Sequence, residues 1–134
     1  MSKRILTLTA LAAFLALGVA AAEAAPGHLD PTFGSGGRVT TIIGSDESNA
    51  SAVVIQRDGK IVVGGKAGNA SLALARFKPN GTLDSAFGPD GRVMTSLGSF
   101  DAGVYGLALQ PDRKIVAAGI DYVTQYESDF VVAR

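Results

Sequence analysis

"GTLDSAFGPDGRV" (residues 81–93) and "GHLDPTFGSGGRV" (residues 27–39) are two nearly identical stretches within one short chain. Shifting the chain by 54 residues aligns residues 27–65 with residues 81–119 without a gap, and 17 of these 39 positions are identical. Self-similarity at such a spacing is the sequence signature of repeat architectures. The chain is therefore interpreted as a tandem duplication.

The duplication extends beyond this alignment, because "LAR" at 74–76 matches "VAR" at 132–134 with an offset of 58. The second copy therefore carries about four extra residues. Within each copy the apolar positions follow the short period of strands, not the longer period of helices. The predicted strands are 38–43, 50–56, 60–66 and 71–77 in the first copy, and 92–97, 104–110, 114–122 and 129–134 in the second.

One strand of each copy, "KIVVGG" at 60–65 and "KIVAAG" at 114–119, is apolar on both faces. Such a strand is typical of a sheet that is covered on two sides. Small residues keep these strands thin, so that another layer can approach: Gly64, Gly65, Ala117, Ala118 and Gly119. Four strands per unit with both faces covered describe a propeller blade, which needs neighbours on each side.

The predicted fold is all-β, with two four-stranded antiparallel propeller-blade-like repeats that belong to a larger propeller. The predicted domains are a secretory signal peptide at 1–24, a first repeat at 25–80 and a second repeat at 81–134. A chain of 134 residues is long enough for one domain at most.

The doubled stretch is predicted to be a structural joint between the last strand of one unit and the first strand of the next. Asp30 and Asp84 are expected to accept hydrogen bonds from the amides just ahead, as in an Asx turn. The aromatic residues are expected to point inward, and the glycines to let the chain reverse. The joint residues are Leu29, Asp30, Phe33 and Gly34 in the first copy and Leu83, Asp84, Phe87 and Gly88 in the second.

A hairpin turn is predicted within each copy. Asp58-Gly59 is a strong hairpin signal, because glycine adopts positive φ at no steric cost. Arg113 occupies the position that corresponds to Gly59. We therefore expect Arg113 to be left-handed, at a cost of roughly 1–2 kcal/mol.

The N-terminal segment has the order of a secretory signal: Lys3 and Arg4, an apolar run, and the small-residue motif "AEA" at 22–24. Cleavage is predicted between Ala24 and Ala25, and the alternative is an uncleaved membrane anchor. The predicted location is therefore secreted or periplasmic, with no membrane association after cleavage. The chain has no cysteine, so packing and backbone pairing must stabilise it without disulfides.

The polar residues predict no catalytic site. The 12 basic and 12 acidic residues are balanced, which argues against nucleic acid as a partner. His28, the one histidine, has Thr82 as its counterpart, so the repeat does not require it. No cofactor is predicted; the alternative is Ca²⁺ held by the aspartates of the turns. Tyr122 and Tyr126 flank the extra residues and are candidates for contacting a protein or carbohydrate ligand.

"LDPTFGSGGRV", "VVIQRDGKIVVGG" and "LALARFKPNGTLDSAFGPDGRV" together resemble the delta-60 repeat, a bacterial repeat of about 55 residues. The resemblance covers about 27–134 and implies a secreted, β-propeller-like module of unsettled function. The family has no catalytic residues that could be assigned to positions of this chain. The chain departs from it at Arg57, at Arg113 and in the extra residues before Asp129.

The resemblance implies partners of the same kind, namely other propeller blades. Two blades cannot close a ring of about four to eight blades. Three explanations are therefore left open: a fragment of a longer repeat protein, an oligomer that closes the ring, or an open two-blade stack. The function predicted is a non-enzymatic module with a structural or binding role. The alternatives are part of a propeller hydrolase or lyase, and a short repeat protein that binds a partner through its sheet edges.

Overall fold

A computed structural model of the chain describes residues 25–44, 47–68 and 71–134. Within these ranges seven strands form two antiparallel sheets, and the all-β fold with blade-like sheets is confirmed, although the sheets do not close into a ring. The strands are β1 (Ser48–Ile55), β2 (Ile61–Ala67), β3 (Ser71–Phe77), β4 (Arg92–Ser96), β5 (Asp101–Leu109), β6 (Ile115–Tyr122) and β7 (Ser128–Ala133). The predicted signal peptide lies outside the described residues. Within the described ranges, no helix has the length and apolar character needed to cross a membrane.

The first sheet has the order β1-β2-β3-β4 and the second has the order β5-β6-β7. β4 therefore completes the first sheet, although its sequence belongs to the second copy. It pairs with β3 in a continuous antiparallel register in which Leu74 lies opposite Val93 and Ala75 lies opposite Arg92. The two sheets are thus shifted along the chain relative to the two sequence repeats.

This pairing corrects two predictions. The joint of the second copy lies between β3 and β4 of one sheet, not between two units. The predicted strand at 38–43 is not a strand in the structure. The physical reason is the same in both cases: a strand needs a hydrogen-bonded neighbour, and among the described residues no β3-like strand lies beside residues 38–43 to pair with them.

The second sheet packs face to face on the first. Leu72 of the first sheet forms a buried cluster with Ala102, Val104 and Ala117 of the second. Val104 lies directly over Gly64, where an added Cβ would lie 3.0 Å from the Val104 Cγ1 atom. Gly64 therefore permits the close approach that the sequence predicts.

An ion pair joins the same two sheets. The Lys66 ammonium donates to both carboxylate oxygens of Asp101, at 3.0 and 2.9 Å. Both side chains are about one-third exposed. The pair therefore lies at the rim of the stack and contributes less than a buried contact would.

Residues 39–43 lie over the opposite face of the first sheet, beside Ala73, Ala75 and Phe77, which are all buried. The first sheet is therefore covered on both faces, as its apolar central strand predicts. The outward face of the second sheet is different: its Phe130 is 96% exposed and its Val132 is 69% exposed. We call the residues of this face the open face; they are Val116, Ala118, Ile120, Phe130 and Val132.

A β-bulge recurs at equivalent positions, at Ser51 in β1 and at Tyr105 in β5. It brings the backbone of the bulged strand close to a glycine of the next strand. A Cβ on Gly65 would collide with the carbonyl oxygen of Asn49, and one on Gly119 would collide with that of Gly103. These two glycines therefore make room within their own sheets, not for a second layer as the sequence predicts.

Candidate functional site

The two joints form the same local turn. In the first joint the Asp30 Oδ1 atom accepts the Thr32 amide at 2.8 Å, and in the second the Asp84 Oδ1 atom accepts the Ala86 amide at 3.3 Å. A backbone hydrogen bond from the phenylalanine amide to the aspartate carbonyl closes each turn, at 3.1 and 2.9 Å. These are the Asx-type contacts that the sequence predicts.

The second joint carries a buried ion cluster. Asp84 is 4% exposed, and its Oδ2 atom accepts from the Arg76 Nε atom at 2.9 Å and lies 3.3 Å from the Lys60 ammonium. The Arg76 guanidinium also lies 4.7 Å from the centre of the Phe87 ring, within the range of a cation–π contact. The cluster ties β3, the β1–β2 turn and the joint together.

The charges of this cluster shift the titration of Asp84. Burial raises the pKa of its carboxyl group, but the Ala86 amide, Lys60 and Arg76 together outweigh burial, so the pKa lies below its ordinary value. Asp84 is therefore ionised over the whole neutral range. Its role in this arrangement is to hold two cations, not to transfer protons.

The first joint has the same turn without the cluster. Asp30 is exposed, and hydrogen bonds from the Thr32 hydroxyl and amide hold its pKa below the ordinary value. The first joint contacts the turn that precedes the second joint: the Gly34 amide donates a hydrogen bond to the Asn80 carbonyl at 2.9 Å.

The aromatic residues of the joints are only partly buried. Phe33 and Phe87 are half-buried, and Leu29 is 63% exposed. Partial burial does not decide in which direction the two rings point, so the predicted inward orientation stays a prediction. In the second joint, the Phe87 ring lies under the Arg76 guanidinium, 4.7 Å from its central carbon.

The hairpin turns form a second feature that the sheet packing brings together. In each turn the strand-end glutamine, Gln56 or Gln110, exchanges backbone hydrogen bonds with the residues that follow. Arg113 has φ 69° and Gly59 has φ 78°, so the predicted left-handed arginine is confirmed. The turns therefore share one backbone geometry although only one has glycine.

A cleft of about 450 Å³ lies between the two turns. We call it the hairpin cleft; its lining residues are Gln56, Arg57, Asp58, Leu109, Gln110, Pro111 and Arg113. Among the described residues, the Oε1 atoms of Gln56 and Gln110 are buried without a hydrogen-bond partner. Buried polar atoms without partners are uncommon, which marks the cleft as the candidate binding site.

Sequence reasoning did not find the hairpin cleft. The available signal is that Gln56 and Gln110 occupy equivalent repeat positions, each followed by a basic or turn-forming residue. That signal does not show that the two turns are neighbours. Their proximity depends on how the sheets stack.

The other candidate binding residues from the sequence are not among those that line the hairpin cleft. His28 is exposed in the leader to the first joint, and Tyr126 is 88% exposed in the β6–β7 loop. Within the part of the chain that the structure describes, no group of three or more His, Asp or Glu side chains is placed to hold a metal ion.

Two segments of the chain, 56–87 and 110–134, match the sequence model of a family described as "domain of unknown function (DUF5122) beta-propeller". The chain carries propeller-like repeats. Both matches begin at the cleft glutamines, and the first runs through β2, β3 and the second joint. The second match runs through β6 and β7. No curated protein and no solved structure matches the chain significantly.

We expect Arg113→Gly to stabilise the protein by about 1 kcal/mol, because glycine removes the steric cost of positive φ at this turn. Thermal unfolding measures the change as a rise of the melting temperature by several degrees. The matched control is Gly59→Ala, which places a side chain at the equivalent φ and should lower the melting temperature. A fall of the melting temperature in Arg113→Gly would contradict the equivalence of the turns.

The Asp84 cluster predicts an acid-sensitive contribution to stability. Because the folded pKa lies below the ordinary value of 3.8, ionised Asp84 stabilises the fold above that pH. The contribution is lost as the pH falls below 3.8 and through the folded pKa. Asp84→Asn should therefore lower the melting temperature at pH 7, and its difference from the wild type should shrink in acid.

A double-mutant cycle provides the control for this prediction. Arg76→Gln should destabilise the wild type more than it destabilises Asp84→Asn, because the neutral amide of that variant no longer attracts the guanidinium. Equal effects in both backgrounds would show that the Arg76–Asp84 pair contributes nothing.

Proposed function

We propose that the protein is a secreted, non-enzymatic β-propeller-like module with a structural or binding role. The observation that carries the proposal is the stacking of the two sheets through apolar faces, with Val104 over Gly64. Blades of a propeller stack in this way and present their turns at one end for binding. The match of both repeats to a β-propeller family supports the same interpretation.

The hairpin cleft is the proposed binding site. It offers side-chain amides from Gln56 and Gln110 and guanidinium groups from Arg57 and Arg113. This set combines hydrogen-bond acceptors with charged and neutral donors, which suits a polar protein loop or a carbohydrate. The site lies between two blades, so it exists only while the sheets are stacked.

Export is the second part of the proposal, and it rests on the order of charged, apolar and small residues in 1–24. We expect the exported protein to begin at Ala25. N-terminal sequencing of protein from a secreting host measures this directly. Ala24→Leu, which enlarges the residue before the predicted cleavage site, should leave the full-length chain attached to the membrane. A wild-type chain that keeps its original N-terminus would contradict the prediction.

The stacking is tested by placing a charge in it. Val104 is 1% exposed, and Val104→Asp would bury a carboxylate against Leu72 and Ala117. We expect this change to cost more than about 3 kcal/mol and to abolish cooperative unfolding. The matched control is Val123→Asp, at a half-exposed position in the β6–β7 loop, which should unfold almost like the wild type. A stable, cooperative Val104→Asp variant would overturn the stacked arrangement.

A further inference from the structure

The hairpin cleft carries two cationic side chains that have no acidic partner among the described residues. Arg57 and Arg113 both line the cleft, and both are exposed. Neither guanidinium belongs to any of the ion pairs within the described ranges. Arginine is the side chain that binds carboxylate and phosphate groups with two parallel hydrogen bonds. The two arginines therefore favour an anionic ligand.

The carboxylates of the two hairpin turns do not neutralise these arginines. The Asp58 carboxylate accepts from the Lys60 amide at 3.3 Å and lies 3.3 Å from the Lys60 ammonium. In the second turn, the Asp112 carboxylate accepts from the Lys114 ammonium at 2.6 Å. These hydrogen bonds hold the pKa of both carboxyl groups below the ordinary value. Each acid is thus ionised at neutral pH and is paired with the lysine of its own turn.

Arg113 occupies its position at a conformational cost. Its φ of 69° lies in the left-handed region that glycine adopts freely, and the equivalent Gly59 has φ 78°. Strained residues of this kind cluster at functional sites. The first turn shows that glycine makes the same geometry, so the turn itself does not need an arginine. What the arginine adds is a charged side chain at the cleft.

The cleft also holds two hydrogen-bond acceptors that are not used within the described chain. The Oε1 atoms of Gln56 and Gln110 are buried and have no partner among the described residues. A buried oxygen without a partner destabilises the protein, and a ligand that donates to it removes that cost. A hydroxyl group suits this place, because it both donates and accepts and therefore matches the side-chain amide in either orientation.

The cleft has an apolar part and the size of a small-molecule site. Leu109 and Pro111 line it beside the polar residues. Its volume of about 450 Å³ lies within the range of roughly 300–1,000 Å³ that is usual for ligand pockets. A sugar ring has C–H groups on its faces and hydroxyl groups at its edge. It can therefore cover the apolar part and serve the glutamines at the same time.

Three classes of ligand meet these requirements unequally. A neutral sugar supplies hydroxyl groups but leaves both arginines unpaired. The carboxylates of an acidic peptide pair with the arginines, but an ionised carboxylate only accepts hydrogen bonds and gives nothing to the glutamine oxygens. A uronic acid carries a carboxylate and several hydroxyl groups on one ring, so a single compact unit satisfies both pairs of residues.

We propose that the hairpin cleft binds an acidic carbohydrate. The guanidinium groups of Arg57 and Arg113 bind its carboxylate. Its hydroxyl groups donate to the Oε1 atoms of Gln56 and Gln110. All four residues lie in turns between described strands, with one pair between β1 and β2 and the other between β5 and β6. This inference rests on the proposed function, because it names the ligand class of the same site.

Calorimetric titration of the purified protein tests the ligand class. The probes are trimers of galacturonate, glucuronate and mannuronate, together with a neutral galactose trimer and a glutamate tripeptide. At least one uronate trimer should bind about tenfold or more tightly than both the galactose trimer and the glutamate tripeptide. Its affinity should fall as salt is added, because the contact with the arginines is exposed to solvent. Uronate trimers that bind no better than these two controls would overturn the proposal.

Arg113→Gly separates ligand binding from stability. This variant is expected to raise the melting temperature, and it should nevertheless weaken uronate binding by about tenfold or more. The matched control is Arg38→Gln, which removes one charge from an exposed arginine that does not line the cleft. It should bind the uronate like the wild type. Equal affinity of the wild type and Arg113→Gly would also overturn the proposal.

The outcomes distinguish this proposal from the proposed function. Tighter binding of the galactose trimer or of the glutamate tripeptide would overturn the acidic carbohydrate but keep the hairpin cleft as a binding site. Binding of none of the probes would overturn the acidic carbohydrate as well. In that case the Val104→Asp variant still decides the stacking of the sheets, on which the proposed function rests.

Discussion

Each sheet of this protein has apolar side chains on both of its faces, and the stacking of the two sheets follows from the need to cover them. The first sheet satisfies this need with residues 39–43 on one side and the second sheet on the other. Val104 approaches the first sheet closely at Gly64, where an added Cβ would stand 3.0 Å from the Val104 Cγ1 atom. The hydrophobic effect is non-directional, so small residues and not specific pairs decide how closely the sheets approach.

The sheets are offset from the sequence repeats, so the first sheet needs a strand from the second sequence copy to be complete. β4 is encoded in the second copy but completes the sheet of the first, and Asp84 fixes it there by binding Arg76 and Lys60. A unit of sequence is therefore not a unit of structure. This arrangement couples adjacent repeats through backbone hydrogen bonds as well as through packing, which a simple stack of separate blades would not do.

The hairpin cleft illustrates how binding surfaces arise in such a fold. Neither turn is a site alone, but stacking brings the equivalent ends of two strands together and leaves the side-chain oxygens of Gln56 and Gln110 without partners among the described residues. A rigid framework of sheets with variable turns at one end allows the turns to change with little cost to the fold. Arg57 and Arg113, at which the sequence departs from the delta-60 repeat that it resembles, lie at this end of the molecule.

Local features could be predicted from the amino-acid sequence alone: the duplication, the strands after residue 48, the Asx turns and the left-handed Arg113. They depend on residues close in the chain, and backbone sterics and short-range hydrogen bonds determine them. The sequence could not show that 92–96 pairs with the preceding strand, that Asp84 is buried while Asp30 is exposed, or that the two turns enclose a cleft. Only the tertiary structure decided these, because strand pairing and sheet stacking join residues far apart in the chain, and identical local motifs then acquire different surroundings.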